Sequence, residues 1–254
     1  MAAIAVATRR SAMLGLECGD NAADYPPLRR GSTPPGRDAP KENRHIEGFA
    51  STADQNGSMN TPHAAADLPD ALRQMPRTIV MVGLMGAGKS AIGRRLAQRL
   101  GLPFVDADAE IERAAGQTIE EIFTAHGEGY FRDGERRVIA RLLGDPVHVL
   151  STGGGAFMDA ETRRLIGERG ISVWLRAPID VLLRRTARRT NRPLLKDRDP
   201  AEVLTKLIEL RYPVYAQADV VVDSTDGPPE QTVQRVLDGL AAHLARAQKA
   251  AGAA

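Results

Sequence analysis

Cysteine is nearly missing from this chain of 254 residues. Cys18 stands alone, so an internal disulfide is impossible, and a reducing compartment, the cytoplasm, is the expected location. No Cys/His spacing of the zinc-binding kind occurs. Aromatic residues make up only 4% of the chain, too few for the stacking platforms that grip single-stranded nucleic acid. Charge of one sign does not dominate either: 34 basic residues face 32 acidic ones for a net charge of +2, which calls for neither nucleic acid nor an anionic membrane as partner. No apolar run approaches the ~20 residues that a bilayer-crossing helix needs. What remains is a chain long enough for one sizeable domain whose core stands without staples.

Proline is unevenly spread. Pro26, Pro27, Pro34, Pro35, Pro40, Pro62, Pro69 and Pro76 are half of the chain's 16, and all fall in the first 76 residues. Tyr25 and Phe49 are the only aromatics there, and apolar periodicity is absent after about Leu16. A segment so composed buries too little to offset its conformational entropy, so residues 1–76 are expected to form a disordered extension. The Ala-rich start with Arg9 and Arg10 resembles an organellar presequence, but Glu17, Asp20 and Asp24 follow closely and no secretory core is present. The preferred reading is an untargeted tail or a false start codon.

From Arg77 to Ala254 strands and helices alternate. Thr78–Val82 is an apolar, β-branched strand. Ala91–Leu100 reads as an amphipathic helix with Ile92, Leu96 and Leu100 on one face. Strands are predicted at Pro103–Asp106, Val147–Leu150, Ile171–Leu175 and Asp219–Val222. Helices are predicted at Asp108–Ala115, Thr118–Ala125, Phe131–Leu143, Asp159–Gly167 (with Asp159 as N-cap), Pro178–Thr186, Ala201–Tyr212 and Pro229–Arg246. This alternation implies an α/β fold, a parallel sheet with helices on both faces, with ligands at the carboxyl ends of the strands.

Between the first strand and helix, Gly83-Leu-Met-Gly-Ala-Gly-Lys-Ser90 completes the pattern G-x-x-x-x-G-K-[ST]. Its glycines let successive N–H groups converge on phosphate oxygens, and the helix behind adds its positive end. Lys89 can reach the β- and γ-phosphates, and the Ser90 hydroxyl can ligate Mg²⁺. Asp106 and Asp108 end the next strand. One can hold Mg²⁺ through water while the other accepts a proton from an attacking hydroxyl; the plain alternative makes Asp108 the N-cap of the following helix. Gly153-Gly154-Gly155 closes another strand, and three glycines together suggest close approach of backbone to a ligand.

Arginines complete the pattern. Arg132 follows Phe131, and Arg211 opens Arg211-Tyr-Pro-Val-Tyr215. Arg184, Arg185, Arg188, Arg189 and Arg192 crowd a segment that suits a lid over about residues 184–200, Arg192 being fixed beside Pro193 while Arg188 and Arg189 read as a solvated face. His45, His63, His126, His148 and His243 lack partner spacing and read as structural or solvent-facing. Glu120, Glu121 and Glu135 read as solvated helix faces.

From Pro76 to Leu244 these elements, in this order, resemble shikimate kinase: the octapeptide 83–90, Asp106-Ala-Asp108, Phe131-Arg132, Gly153–Gly155, Arg192-Pro-Leu-Leu195 and Arg211-Tyr-Pro-Val-Tyr215. The resemblance implies a P-loop, nucleoside-monophosphate-kinase-like fold with a five-stranded parallel sheet. It implies ATP-dependent phosphorylation of the 3-hydroxyl of shikimate, on the way to chorismate and the aromatic amino acids. Gly86, Ala87, Gly88, Lys89, Ser90 and Ala91 would bind the ATP phosphates, Arg185 would pack on adenine, and Arg192 would swing in from the lid. Ser90 and Asp106 would serve one Mg²⁺. Asp108 would be the base. Arg132 and Arg211 would hold the shikimate carboxylate with help from Gly153, Gly154 and Gly155. A monomer is expected. The turn Asp223–Pro228 lacks the Arg that some relatives place near adenine. A gluconate or nucleoside monophosphate kinase would lack the glycine triplet and the two arginine motifs; a non-catalytic descendant would be marked by loss of Lys89 or Asp108, and neither is lost.

Overall fold

The computed structural model describes residues 68–187 and 199–252. Residues 1–67, most of the expected extension, lie outside that description, as do 188–198 with Arg188, Arg189 and Arg192 of the expected lid.

The chain is already folded ahead of the Pro76/Arg77 boundary expected from composition. Leu68, Leu72 and Met75 are all buried, Leu72 at 1% exposure, around a short helix α1 (Asp70–Arg73) that packs against the last helix. Leu72 lies on the helix while Leu68 and Met75 flank it, a short apolar set that the proline content of the preceding residues masked. A chain begun at Arg77 would leave its acceptor surface bare. Leu72→Ala is expected to cost about 2–5 kcal/mol of stability, read as a lowered urea midpoint without loss of the site's chemistry.

The core is a five-stranded, wholly parallel sheet in the order β2-β3-β1-β4-β5. The strands are β1 (Thr78–Val82), β2 (Phe104–Asp106), β3 (Val149–Ser151), β4 (Gly170–Arg176) and β5 (Val220–Asp223). β1 is central and buried at every residue, as its unbroken apolar run requires; β5, at one edge, alternates buried and exposed. The crossover through α2 (Lys89–Leu100) runs from β1 outward to β2, and the one through α5 (Ala160–Arg169) runs the opposite way from β3 to β4. Right-handed crossovers in opposite directions lie on opposite faces, so the sheet is covered on both sides.

Helix boundaries follow their caps. Asp159 accepts from the Thr162 N–H and starts α5 as expected. α3 (Ala107–Ala115) is capped by Asp106, whose side chain accepts from the Asp108 N–H; Asp108 is therefore not the cap. The two helices predicted over 118–143 are both present and meet at Gly127, whose backbone (φ 79°, ψ 176°) is not helical; they share the label α4 (Ile119–Leu142). Its start is a capping box between Thr118 and Glu121, so Glu121 is a capping residue rather than an idle charge. α6 (Ile179–Ala187) is the last described element before residue 188. α7 (Pro200–Tyr215) carries Pro213 within its last turn and runs on to Tyr215, where sequence reasoning ended it at Tyr212. Tyr212 and Tyr215 hydroxyls fasten that final turn to the carbonyls of Ala177 and Gly154. α8 (Pro229–Ala251) closes the chain along α2 and β5.

Candidate active site

All five strands point their carboxyl ends the same way, and the functional candidates gather there. Gly83–Gly88 folds back over the end of β1 and delivers the chain into α2 at Lys89. Gly88 holds the helix cap at φ 98°, a conformation that side-chain-bearing residues rarely adopt. The first N–H groups of α2 have no carbonyl four residues back, which makes the loop an anion seat. Lys89 Nζ donates to the carbonyls of Gly83 (2.9 Å) and Leu84 (3.1 Å), so the ammonium lies across its own loop.

Ser90 Oγ donates to Asp106 Oδ2 at 2.9 Å and lies 3.1 Å from Ser151 Oγ at the end of β3. The pairing of Asp106 with Ser151 across β2 and β3 sets this cluster. Three oxygen-bearing side chains with one carboxylate suit a hard cation that keeps much of its water and takes further oxygens from phosphate. Among the described residues no group of three or more His, Cys, Asp or Glu could hold a metal ion.

At the other flank, Arg185 of α6 donates through Nη1 to the carbonyls of Gly86 (3.3 Å) and Ala87 (3.4 Å) and to Ser224 Oγ (3.0 Å), and through Nη2 to Thr225 O (2.5 Å). Ser224 in turn donates to Ala87 O at 2.9 Å. Here the turn between β5 and α8 does its work through a buried serine and a carbonyl that sequence reasoning had not singled out, since a Ser-Thr pair in a turn carries no signal of its own.

Asp108 lines the same cavity, of about 570 Å³, that runs from the P-loop to Gly153 and Gly154 and on to Ser224 and Thr225. Burial, then the neighbouring Asp106 charge, pushes its carboxyl above the ordinary value, against the pull of Lys89 and Arg132. A carboxyl so placed is a stronger proton acceptor than a solvated aspartate.

Close approach accounts for two of the three glycines, Gly153 and Gly155. A Cβ at Gly155 would sit 2.3 Å from Arg132 Nη1, and one at Gly153 would sit 2.7 Å from Glu135 Oε1 and 3.0 Å from Asp108 Oδ1. Arg132 Nη1 donates to Glu135 Oε2 at 2.7 Å, while its Nε and Nη2 reach Glu128. Burial alone would lower the guanidinium's pKa, but Glu135 and Glu128 outweigh it and hold it above its usual value. Glu135 is thus no solvated face. It is 3% exposed, its Oε1 has no hydrogen-bond partner, and burial raises its pKa despite the ion pair. The spacing of three from Arg132 was the available signal. Arg211 Nη1 donates to Gly154 O at 2.9 Å, and its Nε is buried without a partner.

The structure therefore brings together Gly86–Ala91, Asp106, Asp108, Arg132, Gly153–Gly155, Arg185 and Arg211. Arg192 lies outside the described residues. His148 is buried between Thr78 and Pro146 at the far end of the sheet, and His126 stacks on Tyr130, so neither belongs to the site.

Comparison with known proteins identifies the family. The family model for shikimate kinase matches residues 85–241. A shikimate kinase of Paramagnetospirillum magneticum is 60% identical over 168 residues, 66% of this chain and 86% of that protein. One of Bradyrhizobium diazoefficiens is 56% identical over 186 residues, 73% of this chain and 88% of that protein. Among solved structures, shikimate kinase from Acinetobacter baumannii in complex with shikimate is 40% identical with a TM-score of 0.63, covering 66% of this chain and 95% of that one. With a P-loop, Asp108 and Arg185 lining one cavity, and relatives of this closeness over nearly their whole length, the chain belongs to the shikimate kinase family.

Proposed function

We infer that this site transfers the γ-phosphoryl group of ATP to the 3-hydroxyl of shikimate, and that it does so as a monomer in the cytoplasm with one Mg²⁺. The observation that carries the reading is the cavity that joins the phosphate-binding end of α2 to Asp108, Gly153 and Gly154. Donor and acceptor must meet within about 3–3.5 Å for direct transfer, which one shared cavity allows.

Each residue then has a task. The amides of Gly86–Ala91 and the Lys89 ammonium hold the β- and γ-phosphates. Arg185, braced by Ser224 and Thr225, offers a flat cation to the adenine. Ser90 and Asp106 would hold the Mg²⁺, which when bound neutralises charge between the β- and γ-phosphates. Arg132 and the unpartnered Nε of Arg211 take the shikimate carboxylate, with Glu135 bracing Arg132. Asp108 accepts the proton of the 3-hydroxyl as that oxygen bonds to the γ-phosphorus. The bond from the γ-phosphorus to the β–γ bridging oxygen breaks, and ADP leaves with that oxygen. Arg192 would meet the transferring group from the lid.

The direct test is ADP release by the purified chain with shikimate, gluconate, AMP or CMP as acceptor. Turnover with shikimate alone is expected; turnover with gluconate and not shikimate would remove this reading. Arg132→Ala is expected to raise KM for shikimate about 10–100-fold with a smaller change in kcat, because a carboxylate remote from the reacting hydroxyl contributes mainly to binding.

A further inference from the structure

Behind the glycine triplet lies a residue that the reaction scheme does not use. Tyr215, at the end of α7, is wholly buried, and its hydroxyl donates to the Gly154 carbonyl. That carbonyl already accepts from Arg211 Nη1. The Tyr215 ring packs against Trp174 of β4 (5.9 Å between centroids) and Phe157 (6.4 Å), which fixes the phenol's direction. Tyr212 adds an edge contact to the same indole at 4.9 Å.

We propose that Tyr215 is a positioning residue for the acid substrate: by clamping the Gly154 carbonyl together with Arg211, its phenol sets the orientation of the Gly154–Gly155 peptide and of the guanidinium that takes the carboxylate. The inference rests on the carboxylate site described above. A planar trans peptide turns the Gly155 N–H opposite to the Gly154 carbonyl, so two donors on the α7 side hold that N–H facing away from α7. Gly154 and Gly155 have no side chains to lock the turn, and without a clamp this peptide is among the easiest in the chain to flip. Arg211 gives the carbonyl one bond through Nη1 and leaves Nε for the carboxylate, so the phenol supplies the second bond and does not itself engage the substrate. Burial, the largest influence, raises the phenol's pKa, so the hydroxyl stays protonated and remains a donor across the neutral range.

Tyr215→Phe removes the donor and keeps the ring. The test combines shikimate affinity by calorimetry in the absence of nucleotide, KM values for shikimate and MgATP, and the urea midpoint. Expected is a loss of shikimate affinity of about five- to tenfold, the scale of one removed hydrogen bond, with KM for MgATP changed less than about twofold. Unchanged shikimate affinity overturns the proposal. So does a parallel loss toward both substrates that tracks the fall in stability, which is what a packing role alone would produce. Arg132→Ala and Arg211→Ala, measured beside it, separate two failures. If they too leave shikimate affinity intact, the carboxylate site itself is misplaced; if they lose affinity and Tyr215→Phe does not, only the clamp is refuted. Should Tyr215→Phe fold poorly, Tyr215→Met at the same position must show the same split between the substrates, and its absence counts equally against the clamp.

Discussion

Lys89→Ala is expected to lower kcat by about 10³-fold at saturating shikimate and MgATP, as measured by coupled ADP release. The size follows from when the charge matters. A ground-state triphosphate is held by several amides at once and tolerates the loss of one contact. Charge that builds on the γ-phosphoryl oxygens during transfer needs a cation already in place, and water reorganises too slowly and too expensively to replace it. In this structure the ammonium rests on the carbonyls of Gly83 and Leu84, at 2.9 and 3.1 Å, so the loop positions it before any ligand arrives. Nucleotide binding should weaken far less than kcat. Near-normal turnover by Lys89→Ala would mean that phosphate is gripped elsewhere.

Asp108→Asn is expected to change two quantities in opposite directions. Turnover should fall by about 10²–10⁴-fold, because the amide cannot accept the hydroxyl proton. Stability of the ligand-free protein should rise at neutral pH, because the substitution removes a charge that is penalised by burial and by Asp106. The sign follows from the raised pKa. The neutral form of Asp108 contributes stability that is fully present below the unfolded value of 3.8 and is lost as pH rises through the higher folded value. Asn does not titrate and keeps that contribution, so its advantage should be absent below about pH 3.8 and should grow as pH rises through the higher folded value. Thermal denaturation of both proteins across that range measures it. A less stable Asp108→Asn at pH 7 would show that this carboxylate is better solvated than its surroundings imply.

Much of this site was legible because its residue types are forced by chemistry at short range. Gly83–Ser90 carries its whole meaning in eight adjacent residues, and the apolar run before it announced the central strand. The arginines at 132 and 211 and the glycine triplet were legible only as an ordered set resembling one family, since no local rule joins a helix in the middle of the chain to one near its end. Glu135 escaped because burial is a tertiary property: on the helix it looks like any charge near Arg136 and Arg137, and only the fold turns it inward at 3% exposure. Tyr215 escaped for a different reason. A proline at 213 ends a helix by local reasoning, yet the hydroxyls of Tyr212 and Tyr215 extend it by bonds to two carbonyls that are distant in sequence. Leu72 was hidden by neighbours, its apolar set being too short to outweigh the prolines around it. Sites whose logic is contiguous can be read from a string of letters, while those built by convergence need the fold.

The chain contains one tryptophan. Since Trp174 sits a single side-chain layer behind Gly154, all indole emission from this protein originates beside the glycine triplet. Optical unfolding curves will therefore chronicle the sheet and its aromatic backing, and will be silent about the 67 residues that lead into it.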